Sequence, residues 1–112
     1  MNPKTHQQIM AFLTKDASLI EGVLKCPGSI RIDGVFHANI HADGDVYVGK
    51  NAAIKGLIKA ANLYVYGSVH GDVLCKNKVH IYQHAKISGE IITKLFEIEE
   101  GGSFEGKFTM RR

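Results

Sequence analysis

The sequence predicts an all-β fold: a single-domain parallel β-helix, or solenoid, of about six rungs with a short flexible N-terminal tail. Three observations carry that prediction. First, one strand pattern, apolar-x-glycine-x-apolar-x-small, recurs at Ile20-Gly22-Leu24-Cys26, Phe36-Ala38-Ile40-Ala42, Ile54-Gly56-Ile58-Ala60, Val69-Gly71-Val73-Cys75, Ile87-Gly89-Ile91-Thr93 and Phe104-Gly106-Phe108-Met110. Its first positions lie 16, 18, 15, 18 and 17 residues apart, the mark of a chain in which each unit buries its apolar face against its neighbours. Second, a shorter alternation follows at Ile30-x-Ile32, Val46-x-Val48, Leu63-x-Val65, Val79-x-Ile81 and Phe96-x-Ile98. Period two sends these residues to one face of an extended strand and their neighbours to the other. Third, stacking the units gives chemically uniform columns, such as Ile/Phe/Ile/Val/Ile/Phe and Gly/Ala/Gly/Gly/Gly/Gly. A sandwich or barrel also has short alternating strands, but not this positional identity.

Taken in order, residues 1–16 form the tail, 17–110 the β-helix and 111–112 a C-terminal remnant. Each unit holds two or three short strands. Gly34, Gly49, Gly67 and Gly101 close the second strands, as at tight corners where φ turns positive. The small glycine column points to a narrow coil in which the backbone approaches the opposite wall.

The 112 residues suffice for one domain. A formal net charge of +3 with scattered lysines lacks the clustered Lys/Arg stripe of a nucleic-acid binder. Cys26 and Cys75 fall in the small inward column beside Ala42 and Ala60, and read as core residues. At three rungs apart, roughly 14 Å, they are too distant to form a disulfide. Cysteines too far apart to bridge each other and the lack of a signal peptide point to the cytoplasm. No stretch approaches the ~20 apolar residues of a membrane span.

The residues offer no catalytic, metal or cofactor site. His37 and His41 point outward on one strand, His80 and His84 sit on a strand and its corner, and His70 stacks between Lys55 and Ser88. None completes a zinc-ligand spacing. Asp33, Asp43, Asp45, Asp72 and Glu90 are dispersed. Only Asp72 and Glu90 share an outward column on adjacent rungs, without the pocket that would tune an acid–base pair. Gly-Lys-Ser/Thr is absent, so no nucleotide loop is expected.

Two outward features break the polar pattern. Leu74 and Ile92 share one column, while Tyr47 with Tyr64, and Tyr66 with Tyr82, form ladders. Such ladders stabilise a β-face; lateral contact between rods, or a cover from the tail, is the functional alternative. In the tail, Ile9, Met10, Phe12 and Leu13 lie between Lys4 and Lys15. Ile9, Phe12 and Leu13 would share one face of a short helix, suited either to weak membrane binding by arrayed copies or to capping the first rung. At the other end, Thr109-Met110-Arg111-Arg112 is too short to cover the last coil. The open ends, with Phe104, Phe108 and Met110 at one and Ile20 and Leu24 at the other, are then the expected polymerisation interface, since unpaired strand edges and bare core demand a partner.

The units Ala52-Ala53-Ile54 through Ile58 to Ala60, Ile30-Arg31-Ile32-Asp33-Gly34, Val46-Tyr47-Val48-Gly49 and Val69-His70-Gly71-Asp72-Val73 resemble those of bactofilins, across the whole repeat. The resemblance implies a right-handed, three-sided β-helix and bacterial cytoskeletal filaments that assemble end to end without nucleotide. It also implies association with the inner face of the cytoplasmic membrane, cell-shape scaffolding for peptidoglycan synthases or hydrolases, and no enzymatic activity. It assigns membrane targeting to the tail, where Ile9 to Leu13 is the matching stretch, and polymerisation to a terminal-rung Phe, met by Phe104 and Phe108.

Two other readings use the same features. A discrete, non-filamentous β-helical scaffold would share the exposed ends. A hexapeptide-type acyltransferase or carbonic anhydrase would need coils of eighteen with one aliphatic residue per six, against the paired aliphatics seen here.

Overall fold

The structure, a computed structural model, describes residues 20–111. Eleven strands follow in order: β1 (Ile20–Cys26), β2 (Ile30–Ile32), β3 (Val35–Ala42), β4 (Asp45–Val48), β5 (Ala53–Lys55), β6 (Ile58–Val65), β7 (Ser68–His70), β8 (Val73–Ile81), β9 (Lys86–Thr93), β10 (Leu95–Ile98) and β11 (Ser103–Met110). Every pairing is parallel. The chain winds as a right-handed β-helix of about five coils, with β11 the last strand among the described residues.

Registers follow the repeat. Phe36 lies over Ile54, Ile54 over Val69, Val69 over Ile87 and Ile87 over Phe104. Ile30, Val46, Leu63, Val79 and Phe96 form a second column, and Ile32, Val48, Val65, Ile81 and Ile98 a third. Apart from Ile98, these side chains fill the coil as one core cluster, with Phe96 and Phe104 packed against it. Each fully buried aliphatic contributes about 1.5–3 kcal/mol, opposed by the entropy of ordering the chain.

The uneven spacing has a structural cause. The registered strands keep their lengths while the corners absorb the variation. Four residues separate Val48 from Ala53 and Ile81 from Lys86, but two separate Val65 from Ser68. A register shift opposite Ala60 and Asn62 takes up a further residue in β8, between Cys75 and Lys78.

Smallness in the glycine column is demanded by the coil beneath, not by the opposite wall as the repeat alone suggests. Gly71 and Gly89 hold φ of 149° and 144°. A Cβ on Gly89 would collide with the carbonyl oxygen of Gly71, and one on Gly71 with that of Gly56. The corner glycines also differ from expectation. Of Gly34, Gly49, Gly67 and Gly101, only Gly101 has positive φ, at 90°. Gly67 is required for space instead, since a Cβ there would strike the carbonyl oxygens of Gly49 and Ala52, whereas at Gly49 the nearest atom is the movable Asp33 carboxylate. At the matching corner His84, a non-glycine residue, adopts φ of 71°, and its N–H donates to the Gly101 carbonyl at 3.1 Å.

Candidate functional site

The two ends of the rod are unlike. At the first described coil, Leu24 is only 8% exposed, and Ile30 and Ile32 are buried. At the last coil the same columns are bare. Ile98 is 46% exposed, whereas Ile32, Val48, Val65 and Ile81 beneath it are fully buried. Phe108 is 36% exposed over the fully buried Ile91, and Met110 is 66% exposed over the buried Thr93. At this end, positions buried in every lower coil have no further coil on top among the described residues.

Three phenylalanines organise this end. Phe96 meets Phe104 edge-on with centroids 5.3 Å apart, and Phe108 in a tilted contact at 5.0 Å. Offset and edge-on aromatic pairs are favoured over face-to-face contact. Phe96 and Phe104 are partly buried against the core. Phe104 and Phe108 thus both pack on Phe96, and Met110 lies two residues beyond Phe108 on β11, while Leu24 belongs to the opposite, buried end. The side chain of Ile20 lies outside the described residues, as does the whole tail with Ile9, Met10, Phe12 and Leu13. Phe96 and Ile98 were legible as members of the repeat, but they and Leu95 were not read as part of the open end. The available signal was that Phe96 and Ile98 are the last members of their columns.

The edge strand β10 pairs only with β8, and charged side chains hold it there. His80 of β8 places Nδ1 3.1 Å from Glu97 Oε1 and Nε2 3.0 Å from Glu99 Oε2. A neutral ring could donate to only one of them. Lys78 Nζ lies 3.4 Å from Glu97. The hydrogen bond from His80, and then that from Lys78, hold the Glu97 carboxyl below the usual carboxylate range.

The outward aromatics stack as their register requires. Tyr47 and Tyr64 centroids are 5.0 Å apart, Tyr66 and Tyr82 4.0 Å, and the His80 ring lies 4.1 Å from Tyr82. The Tyr66 hydrogen bond, burial and nearby charge raise the Tyr82 hydroxyl well above its ordinary pKa. Leu74 sits directly over Ile92 in register, both half-buried.

The remaining candidates are structural in their contacts. Asp72 and Glu90 do not face one another as an acid pair, because the Glu90 N–H donates to the Asp72 carboxylate at 3.2 Å. Cys75 is buried, and that burial, aided by Asp45, pushes its thiol up to about 12. His37 and His70 are exposed on outward columns. Among the described residues no three His, Cys, Asp or Glu side chains are placed to hold a metal ion. No helix among them is long and apolar enough to cross a membrane.

The geometry defines a class, a parallel β-solenoid with one unfinished apolar end. Comparison with known families supplies the particular one. The bactofilin family model, described as polymer-forming cytoskeletal, matches residues 12–109, and the chain belongs to the bactofilin family. Among curated proteins, Bactofilin BacO of Myxococcus xanthus (strain DK1622) is 24% identical over 92 residues, covering 82% of this chain and 73% of that protein. No solved structure matches.

Proposed function

We propose that this chain is a non-enzymatic cytoskeletal subunit that polymerises end to end through its C-terminal coil, without nucleotide. The observation that carries this reading is the exposure of Ile98, Phe108 and Met110 in columns that are buried everywhere below them. Covering those side chains with a second subunit removes apolar area from water and pairs the open edges of β10 and β11. The family's description as polymer-forming agrees. The tail residues Ile9, Met10, Phe12 and Leu13 bring the polymer to the inner face of the cytoplasmic membrane, where many weak anchors act together. A rod so placed serves as a scaffold for cell-shape machinery, with peptidoglycan synthases or hydrolases as its clients. The stacked tyrosines and the Leu74–Ile92 pair supply lateral contacts between filaments.

The burial of Leu24, Ile30 and Ile32 favours a second reading in one respect. With one bare end among the described residues, two subunits could join and stop, giving a discrete scaffold. Sedimentation across a concentration series distinguishes the two. Growth of pelletable polymer in the absence of ATP and GTP is the expected result, and a concentration-independent dimer would support the discrete scaffold. Loss of co-flotation with anionic vesicles on removing residues 1–16 tests the tail, and full retention contradicts that role.

A further inference from the structure

An open groove of about 660 Å³ runs along the rod from Lys25 in the first coil to Arg111 past the last strand. Its wall is a registered outward column, with Lys25 beside His41 and His41 beside Lys59. Lys76 and Arg111 extend the charge along the groove, and Asp43 is the single carboxylate among its lining residues. Half-buried Leu74 adds apolar surface.

Elsewhere on the rod, neighbouring coils pair opposite charges. Lys78 meets Glu97 at 3.4 Å and Lys86 meets Glu105 at 3.8 Å. In the groove, by contrast, no carboxylate of a neighbouring coil stands opposite Lys25 or Lys59, whose registered neighbours are His41 and Leu74. Among the described residues none of Lys25, Lys59, Lys76 and Arg111 has an ion-pair partner. The chain's own tail does not complement this charge, since residues 1–16 carry Lys4 and Lys15 against Asp16 alone.

We propose that this groove docks an extended acidic segment of a partner protein. A concave channel with apolar surface suits a single extended chain, whose carboxylates meet the lysines while an apolar side chain covers Leu74. A bilayer is flat and a DNA duplex is convex, so each would reach only the rim, and neither uses an apolar wall. The proposal is independent of polymerisation, although every subunit of a filament would repeat the groove and multiply weak binding.

The test is fluorescence anisotropy with a labelled nonapeptide of eight glutamates around one leucine, run beside phosphatidylglycerol vesicles and a 20-base-pair duplex. Saturable peptide binding that weakens with salt and drops at least ten-fold in Lys59→Glu/Lys76→Glu is expected. The charge-matched control Lys55→Glu/Lys107→Glu should bind as wild type. Equal loss in both variants would reduce the effect to net charge and overturn the proposal. It is likewise overturned if the groove variant loses vesicle or duplex binding while the peptide never binds. All four substituted lysines are exposed, and Lys59→Ala/Lys76→Ala provides a milder variant that should lose affinity in the same direction.

Discussion

Gly89 is the residue at which the repeat's logic is most easily broken. Its φ of 144° and its approach to the Gly71 carbonyl leave no room for a Cβ. Gly89→Ala should lower stability by about 2–4 kcal/mol, from backbone strain and a displaced coil together. Thermal denaturation at fixed concentration measures this, and an unchanged midpoint would contradict it. Thr93 makes the opposite case. It is fully buried and its Oγ1 has no hydrogen-bond partner among the described residues. Thr93→Val removes a desolvated hydroxyl at nearly constant volume, so the same measurement should show no loss, or a gain of up to about 1 kcal/mol. The glycine pattern was plain in the sequence, but its cause was not. A repeat states that a position must be small without stating what it would strike.

At the scale of elements, β10 is the strand whose hold on the rod depends on charge. The folded-state pKa of Glu97 lies below the ordinary carboxylate value of 4.5. Its contribution is therefore present above that value and is lost as pH falls through the depressed one. Acidification below about pH 4.5 should loosen β10 first. Glu97→Gln should reproduce the effect at pH 7, with faster amide exchange in β10 and unchanged exchange in β4 and β6. Equal protection of all three strands in the variant would contradict it. The strands themselves were legible, because Ile30-x-Ile32 through Phe96-x-Ile98 alternate without a break. The contacts that hold β10 were not, since His80 and Glu97 lie one coil apart in space but 17 residues apart in sequence. The uneven spacing was legible too, but its placement in the corners was visible only in the register.

Over the whole molecule, the sequence announces a stack but not the difference between its ends. Phe104, Phe108 and Met110 could be placed on the last coil by counting repeats. That Leu24 and Ile32 are buried while Ile98 is bare depends on what lies against each end, which periodicity does not encode. The basic groove was illegible for a related reason. Lys25, His41 and Lys59 are scattered along the chain and become neighbours only when coils of 16 and 18 residues bring them into one column. Filaments through the C-terminal coil and partners along the groove would then use separate surfaces of one rod. Electron microscopy of negatively stained wild-type protein and its Phe108→Arg variant tests the central claim most directly. A guanidinium on the bare apolar end would have to be buried unpaired in any end-to-end contact. Filaments in the wild type, and only short particles of correctly folded protein in the variant, are predicted. Equally long filaments in both would contradict polymerisation through this end.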